Sequence, residues 1–286
     1  MRADCWGWRA RVGILVIHKD AVPEAEIWAM APPGVTVHAA RFDSPRRPGA
    51  DFAGDHAAVL AESPDIARGL DQLGQMRLDV ICLCFGSSSF LAGAGFDARF
   101  AEQASRRAGG TPVTTAPLAM IDAMRVLGVA RPYLLSPPWF TATSYAAAQR
   151  YFADEGLTFA GQTRFDLGPA WRDSQTFEIY DKGGQWEVRP EDVYRQARAS
   201  FPPDADGILI PGSGFRSLEA IEPLEHDLGV PVITSNQACL WHCLRLAGVL
   251  DTEIGVGRLF SHGNRITVPE STRPESTRPE SHAVVS

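Results

Sequence analysis

The sequence predicts an α/β protein built as two pseudo-symmetric halves, each with a mostly parallel sheet, and three observations carry the prediction. Short apolar runs alternate with longer helix-patterned segments, the order expected of parallel strands joined by helices. One segment recurs: "DVICLCFGSSSF" at 79–90 and "DGILIPGSGFRS" at 206–217 both open with Asp, cross an apolar strand and end in Gly and Ser. Downstream of each, a Pro-Val strand leads into a helix, and fifteen residues separate Pro112 from Leu127 as they separate Pro231 from Leu246.

The elements follow in chain order. Strands are predicted at 12–17 (VGILVI), 35–39 (VTVHA), 79–85 (DVICLCF), 132–136 (PYLLS), 206–210 (DGILI) and 231–234 (PVIT), apolar runs bounded by turn residues. Helices are predicted between them at 55–73, 94–108, 117–127, 142–155, 190–200, 217–228 and 237–247. Gly128 and Gly248 stand after two of these, as C-cap glycines do. Two Rossmann-like domains then account for the chain, 12–127 with 249–264 and 128–248, behind an N-terminal extension at 1–11. The end, 265–286, repeats PESTR; it is too polar to order itself by burial and is excluded from the fold.

Composition narrows the function classes. The net charge of −7 argues against nucleic acid or an anionic membrane as partner. No apolar stretch approaches the roughly 20 residues of a membrane span. "VGILVI" runs straight into His18, Lys19 and Asp20, shorter than the core of about 7–15 residues of a secretory signal. A cytoplasmic protein is expected. Five cysteines, an odd number, do not make a disulfide framework. Cys82 and Cys84 lie inside an apolar strand, and no loop or Gly-rich knuckle surrounds them or Cys239 and Cys243. They read as small core hydrophobes, with no metal expected.

If the halves are equivalent, corresponding strand ends face each other across an interdomain cleft, where open α/β sheets bind ligands. Gly86, Ser87 and Ser88 would line one wall and Gly212, Ser213 and Gly214 the other. Backbone N–H groups and hydroxyls in such turns form donor-rich nests suited to a carboxylate, or to an enolate made from one. Each turn alone also reads as an ordinary strand-to-helix connection with serine caps.

These residues resemble a family. "GILIPGSGFRSLEAIEPLEHDLGVPVITSNQACLWHCLRLAG" is similar to the second half of the aspartate/glutamate racemase superfamily, in the pattern of its maleate isomerase and arylmalonate decarboxylase branches. "SSSFLAGAGFDA" (87–98) is similar to the matching first-half segment, and "ILVIHKDAVPEAE" (14–26) to the opening strand and loop. The resemblance spans roughly 12–262 and implies two similar α/β domains, a site between them and no cofactor. Racemases of this superfamily place a cysteine at the end of each of two strands. Maleate isomerases use one of the pair as nucleophile, and arylmalonate decarboxylases keep the second as proton donor to an enediolate. Here Phe85 and Gly212 fill those positions, each six residues after Asp79 or Asp206, and neither can exchange a proton. Strand alternation turns Cys84 toward a core. Trp139 stands where a tyrosine often binds the carboxylate, which with Phe85 favours an aromatic or apolar substrate portion.

The remaining candidates follow from position. Ser87, Ser213 and His18 are the expected catalytic groups, His18 because imidazole exchanges protons near neutrality. Lys19, Phe85, Gly86, Ser88, Trp139, Gly212, Gly214 and Asn236 are the expected substrate contacts. His242 reads as a packed core or interface histidine. The resulting expectation is a cofactor-independent lyase or isomerase acting on a small or aryl-substituted carboxylic acid, closer to decarboxylation than to racemisation. Two alternatives stay open: a carboxylate-binding protein that has lost catalysis, and a hydratase or C–C hydrolase of a natural-product intermediate. Homo-oligomerisation is also left open.

Overall fold

The apolar runs pair into two sheets of the same design. In the computed structural model, which describes residues 6–44, 46–47, 49–51, 60–263 and 266, eight strands form two four-stranded sheets. They are β1 (Ala10–Ile17), β2 (Val35–Phe42), β3 (Val80–Leu83), β4 (Val113–Thr115), β5 (Pro132–Ser136), β6 (Gly161–Arg164), β7 (Gly207–Ile210) and β8 (Val232–Thr234). The orders are β2-β1-β3-β4 and β6-β5-β7-β8, and every pairing is parallel. Parallel strands need crossovers, and nine helices among the described residues supply them. These are α1 (Val22–Met30), α2 (Pro64–Gly74), α3 (Ser87–Ala92), α4 (Phe96–Arg107), α5 (Ala116–Leu127), α6 (Ala142–Asp154), α7 (Pro190–Ser200), α8 (Ile221–Leu228) and α9 (Ser235–Leu246).

The repeat is visible in side-chain chemistry. Asp79 accepts from the Arg11 N–H at 2.7 Å, and Asp206 from the Ala130 and Arg131 N–H groups at 2.8 and 2.9 Å. Each aspartate thus secures the chain entering the central strand of its sheet. Thr115 and Thr234 cap α5 and α9 in turn, accepting from Leu118 and Gln237 N–H.

Central strands are buried on both faces, which is why they read as continuous hydrophobic runs. Val12, Ile14 and Val16 of β1 with Val80 and Cys82 of β3 face a core shared with α5, α9 and Leu134, Leu209 and Ile233 of the second sheet. Leu15, Ile17, Ile81 and Leu83 face a separate core under α2 and α4. The two halves are therefore joined through a common interior. Helix α9 lies within 128–248 yet packs on β3 and α1, so that helix crosses the domain division read from the sequence. His242 bridges the join, with Thr114 at 2.9 Å and Asp122 at 3.1 Å.

The structure also corrects several element assignments. Helix α1 occupies part of the expected opening loop, begun by Pro23 in its first turn. Strand β6 was not expected, because "GQTR" at a sheet edge carries no apolar pattern. Residues 87–92 are helical, and the helix expected at 217–228 is a 3₁₀ turn, Leu218–Ala220, followed by α8. Part of the helix expected at 55–73, the PESTR tail beyond 266 and Cys5 lie outside the described residues. Among the described residues no helix is long and apolar enough to cross a membrane.

Arg245 of α9 is fully buried and fastens the closing segment of the fold. Its guanidinium donates to the carbonyls of Val249, Asp251, Phe260 and His262 at 2.8–3.4 Å. Substituting Met would strand these acceptors, so Arg245→Met is expected to cost about 3 kcal/mol, read as a lowered urea midpoint. An unchanged midpoint would show that the segment is secured elsewhere.

Candidate active site

All strands of each sheet run parallel, so their carboxyl ends gather on one side, and the loops leaving them enclose a cleft of about 660 Å³. The loop after β1 brings His18, Lys19 and Asp20, that after β3 brings Phe85, Gly86 and Ser87, that after β5 brings Trp139, and that after β7 brings Gly212, Ser213 and Gly214. The two Gly/Ser turns thus meet at one cavity.

Ser88 and Asn236 do not line it, which corrects their expected role as substrate contacts. Ser88 is wholly buried, because successive residues in the first turn of α3 point about 100° apart and only Ser87 faces the cleft. The Asn236 amide is engaged behind the wall, donating to Glu26 Oε2 at 2.7 Å and to the Ser213 carbonyl at 2.9 Å. Glu26 of α1 also accepts from the Ser217 and Leu218 N–H groups at 2.7 and 2.9 Å. A carboxylate from the first half thereby fixes the turn that supplies the second wall. Burial pushes the Glu26 carboxyl up.

Between the walls lies Asp20, only 2% exposed. Its Oδ1 accepts from the Val22 N–H at 3.3 Å and its Oδ2 from the Ser213 hydroxyl at 3.3 Å. The Tyr180 hydroxyl is buried beside it; burial and then the Asp20 charge hold that phenol protonated. Desolvation dominates over these donors and pushes the Asp20 carboxyl up to about 6. The group therefore carries a proton through mildly acidic pH and can release it within the cleft. His18 sits at the more open edge, 3.5 Å from Asp43.

The remaining lining is aromatic on one side and ionic at the mouth. Phe85, Phe90, Trp139, Phe140, Phe177 and Tyr180 supply ring surface. Trp139 meets Tyr180 edge-on, centroids 5.1 Å apart. Lys19 pairs with Asp181 at 2.6 Å and lies 5.3 Å from the Tyr180 ring centre, and Arg46 pairs with the same aspartate. Asp181 belongs to the segment between β6 and α7, so these pairs tie the two halves together across the cleft.

Comparison with known proteins places this arrangement. The family model described as arylmalonate decarboxylase matches residues 53–260. The chain belongs to the arylmalonate decarboxylase family. It is 34% identical over 206 residues to the arylmalonate decarboxylase of Bordetella bronchiseptica, covering 71% of this chain and 78% of that one. A crystal structure of arylmalonate decarboxylase superposes with a TM-score of 0.64 at 27% identity, over 88% of this chain and 99% of that one. The maleate isomerase of Pseudomonas putida S16 shares the fold, with a TM-score of 0.74 at 23% identity over 88% and 98% of the two chains.

This member of the arylmalonate decarboxylase family ends the two strands that flank its cleft with Phe85 and Gly212. Phe85 packs edge-on against Phe42 at 5.9 Å. Gly212 has φ +102°, and a Cβ there would stand 2.6 Å from Pro137 Cγ, so the backbone itself requires glycine. Cys84 is fully buried beside Cys82 and Cys239, away from the cleft lining. Asp20 is not among the expected site residues, although a carboxylate between a buried strand and a Val-Pro helix start is a signal in itself. Phe177, Tyr180 and Asp181 carry no such signal in the sequence, because residues 166–189 form short 3₁₀ turns without an apolar period.

Proposed function

We propose that this chain is a lyase of the arylmalonate decarboxylase family that decarboxylates a malonate-type acid bearing an aryl or other apolar substituent, with Asp20 as proton donor. The observation that supports it is the meeting of one buried carboxyl, its proton affinity raised by burial, with two strand-end Gly/Ser turns in an aromatic cleft. One carboxylate of the substrate lies against the Ser87 hydroxyl and the N–H groups of the Gly86–Ser87 turn and the Ser213–Gly214 turn. The substituent lies against Phe85, Trp139 and Phe140. The bond from the α-carbon to the other carboxylate breaks, carbon dioxide leaves, and the electron pair stays as an enediolate held by those donors. Asp20 then gives its proton to the α-carbon and regains one from water. The step needs no base, and Asp20 takes the proton-donor role for which position 212 has no cysteine. The four free, buried thiols accord with a reducing, cytoplasmic setting.

Incubating the protein with aryl- and alkenylmalonates and maleate in deuterated water tests this. Carbon dioxide release with one deuterium at the α-carbon is expected, and Ser87→Ala should slow it about 10²-fold through loss of the hydroxyl donor. An unchanged rate would remove Ser87 from the reaction. The missing cysteines favour one rival, a carboxylate-binding protein. It predicts no turnover together with a melting temperature raised by arylacetates.

A further inference from the structure

We propose that Cys82, Cys84 and Cys239 form a buried thiolate site for a soft, filled-shell divalent cation of the zinc and cadmium class. Strand alternation puts Cys82 and Cys84 on the same face of β3, and one helical turn puts Cys239 and Cys243 on the same face of α9. The packing of α9 on β3 brings these faces together, so Cys82, Cys84 and Cys239 converge from segments about 155 positions apart. The sulfurs of Cys82, Cys84 and Cys239 lie within 4.8 Å of one another. Zinc–sulfur bonds of about 2.3 Å set tetrahedral ligands about 3.8 Å apart, so closure needs a contraction of no more than about 1 Å.

The pseudo-symmetry gives each of these cysteines a counterpart position in the other half. Aligned on Asp79 with Asp206 and on the cap residues Thr115 with Thr234, the four cysteine positions correspond to Leu209, Pro211, Met120 and Met124. No cysteine stands at the symmetry-related positions, so these thiols are confined to the one place where α9 packs on β3. All four are fully buried, which excludes competing water. Binding replaces a proton at each ligand thiol, so loading the site releases protons to solvent. Full burial implies loading as α9 docks during folding. The occupied site would brace β3 directly behind Phe85 and Ser87.

The full chain, isolated without chelator and separately refolded from urea under reducing conditions with Cd(II), tests this by metal content after gel filtration and by the ultraviolet thiolate-to-cadmium absorption. About one equivalent per chain with that absorption is expected, with content falling to under about a tenth in Cys239→Ala and unchanged in Cys5→Ala. Wild-type protein refolded without the absorption overturns the site even if a variant fails to fold. Retention of the metal by folded Cys239→Ala, or a disulfide among these cysteines in the isolated protein, overturns it as well.

Discussion

Asp20→Asn is expected to lower kcat by about 10²–10⁴-fold while leaving the protein at least as stable at pH 7.5. The opposing signs follow from one cause. In the folded chain burial raises the Asp20 carboxyl from 3.8 to about 6, so the native state holds a proton that the unfolded state has released. The contribution of this group to stability is complete below about 3.8 and is lost as the pH rises through about 6. Above that the buried carboxylate costs about 3 kcal/mol of native stability, to order of magnitude. Asn keeps the shape of the carboxyl and can still accept from the Val22 N–H, while the Ser213 hydroxyl turns to accept from the amide NH2; the charge and the transferable proton are both removed. The wild-type rate should accordingly decline about tenfold per unit of pH above about 6, and the variant should lack that limb. Rate profiles from pH 5 to 8, paired with urea unfolding at both ends, read both halves. A variant within threefold of wild type would show that the proton comes from another group, with His18 the first to test.

Gly212→Cys is expected to destabilise the protein by about 1–3 kcal/mol and to restore no cysteine-dependent activity. Alignment with the racemase superfamily makes this look like the substitution that would recover a lost proton donor. The structure gives the opposite expectation, because φ at 212 is +102° and the new Cβ would meet the Pro137 ring at 2.6 Å. The turn must move before a thiol can point into the cleft. Pro137→Ala removes the clashing ring atom, so the double variant should recover part of the lost stability, leaving the backbone share. Urea midpoints of the single and double variants give the measurement. A Gly212→Cys protein as stable as wild type would mean that the turn after β7 is not held as described.

The two halves were legible because parallel, doubly buried strands leave unmistakable apolar runs and because Asp79 and Asp206 mark equivalent starts. The strand-end turns were legible for the same reason: position in a repeat placed Ser87 and Ser213 at one cavity before any side chain was seen. What stayed hidden depends on packing between distant segments. Asp20 gains its proton only through burial against Ser213 and Tyr180, residues 193 and 160 positions away. Ser88 and Asn236 share composition with the true lining and differ only in where the helix turns them. The cysteines look like separate core residues until α9 docks on β3.

A crystal structure with an arylacetate, the product of the proposed reaction, bound in the cleft is the most direct test. The account predicts the carboxylate within hydrogen-bond distance of the N–H groups at 86–87 and 213–214, the ring against Trp139 and Phe85, and the α-carbon facing Asp20. A ligand seated elsewhere, or seated with its α-carbon turned away from Asp20, would contradict it.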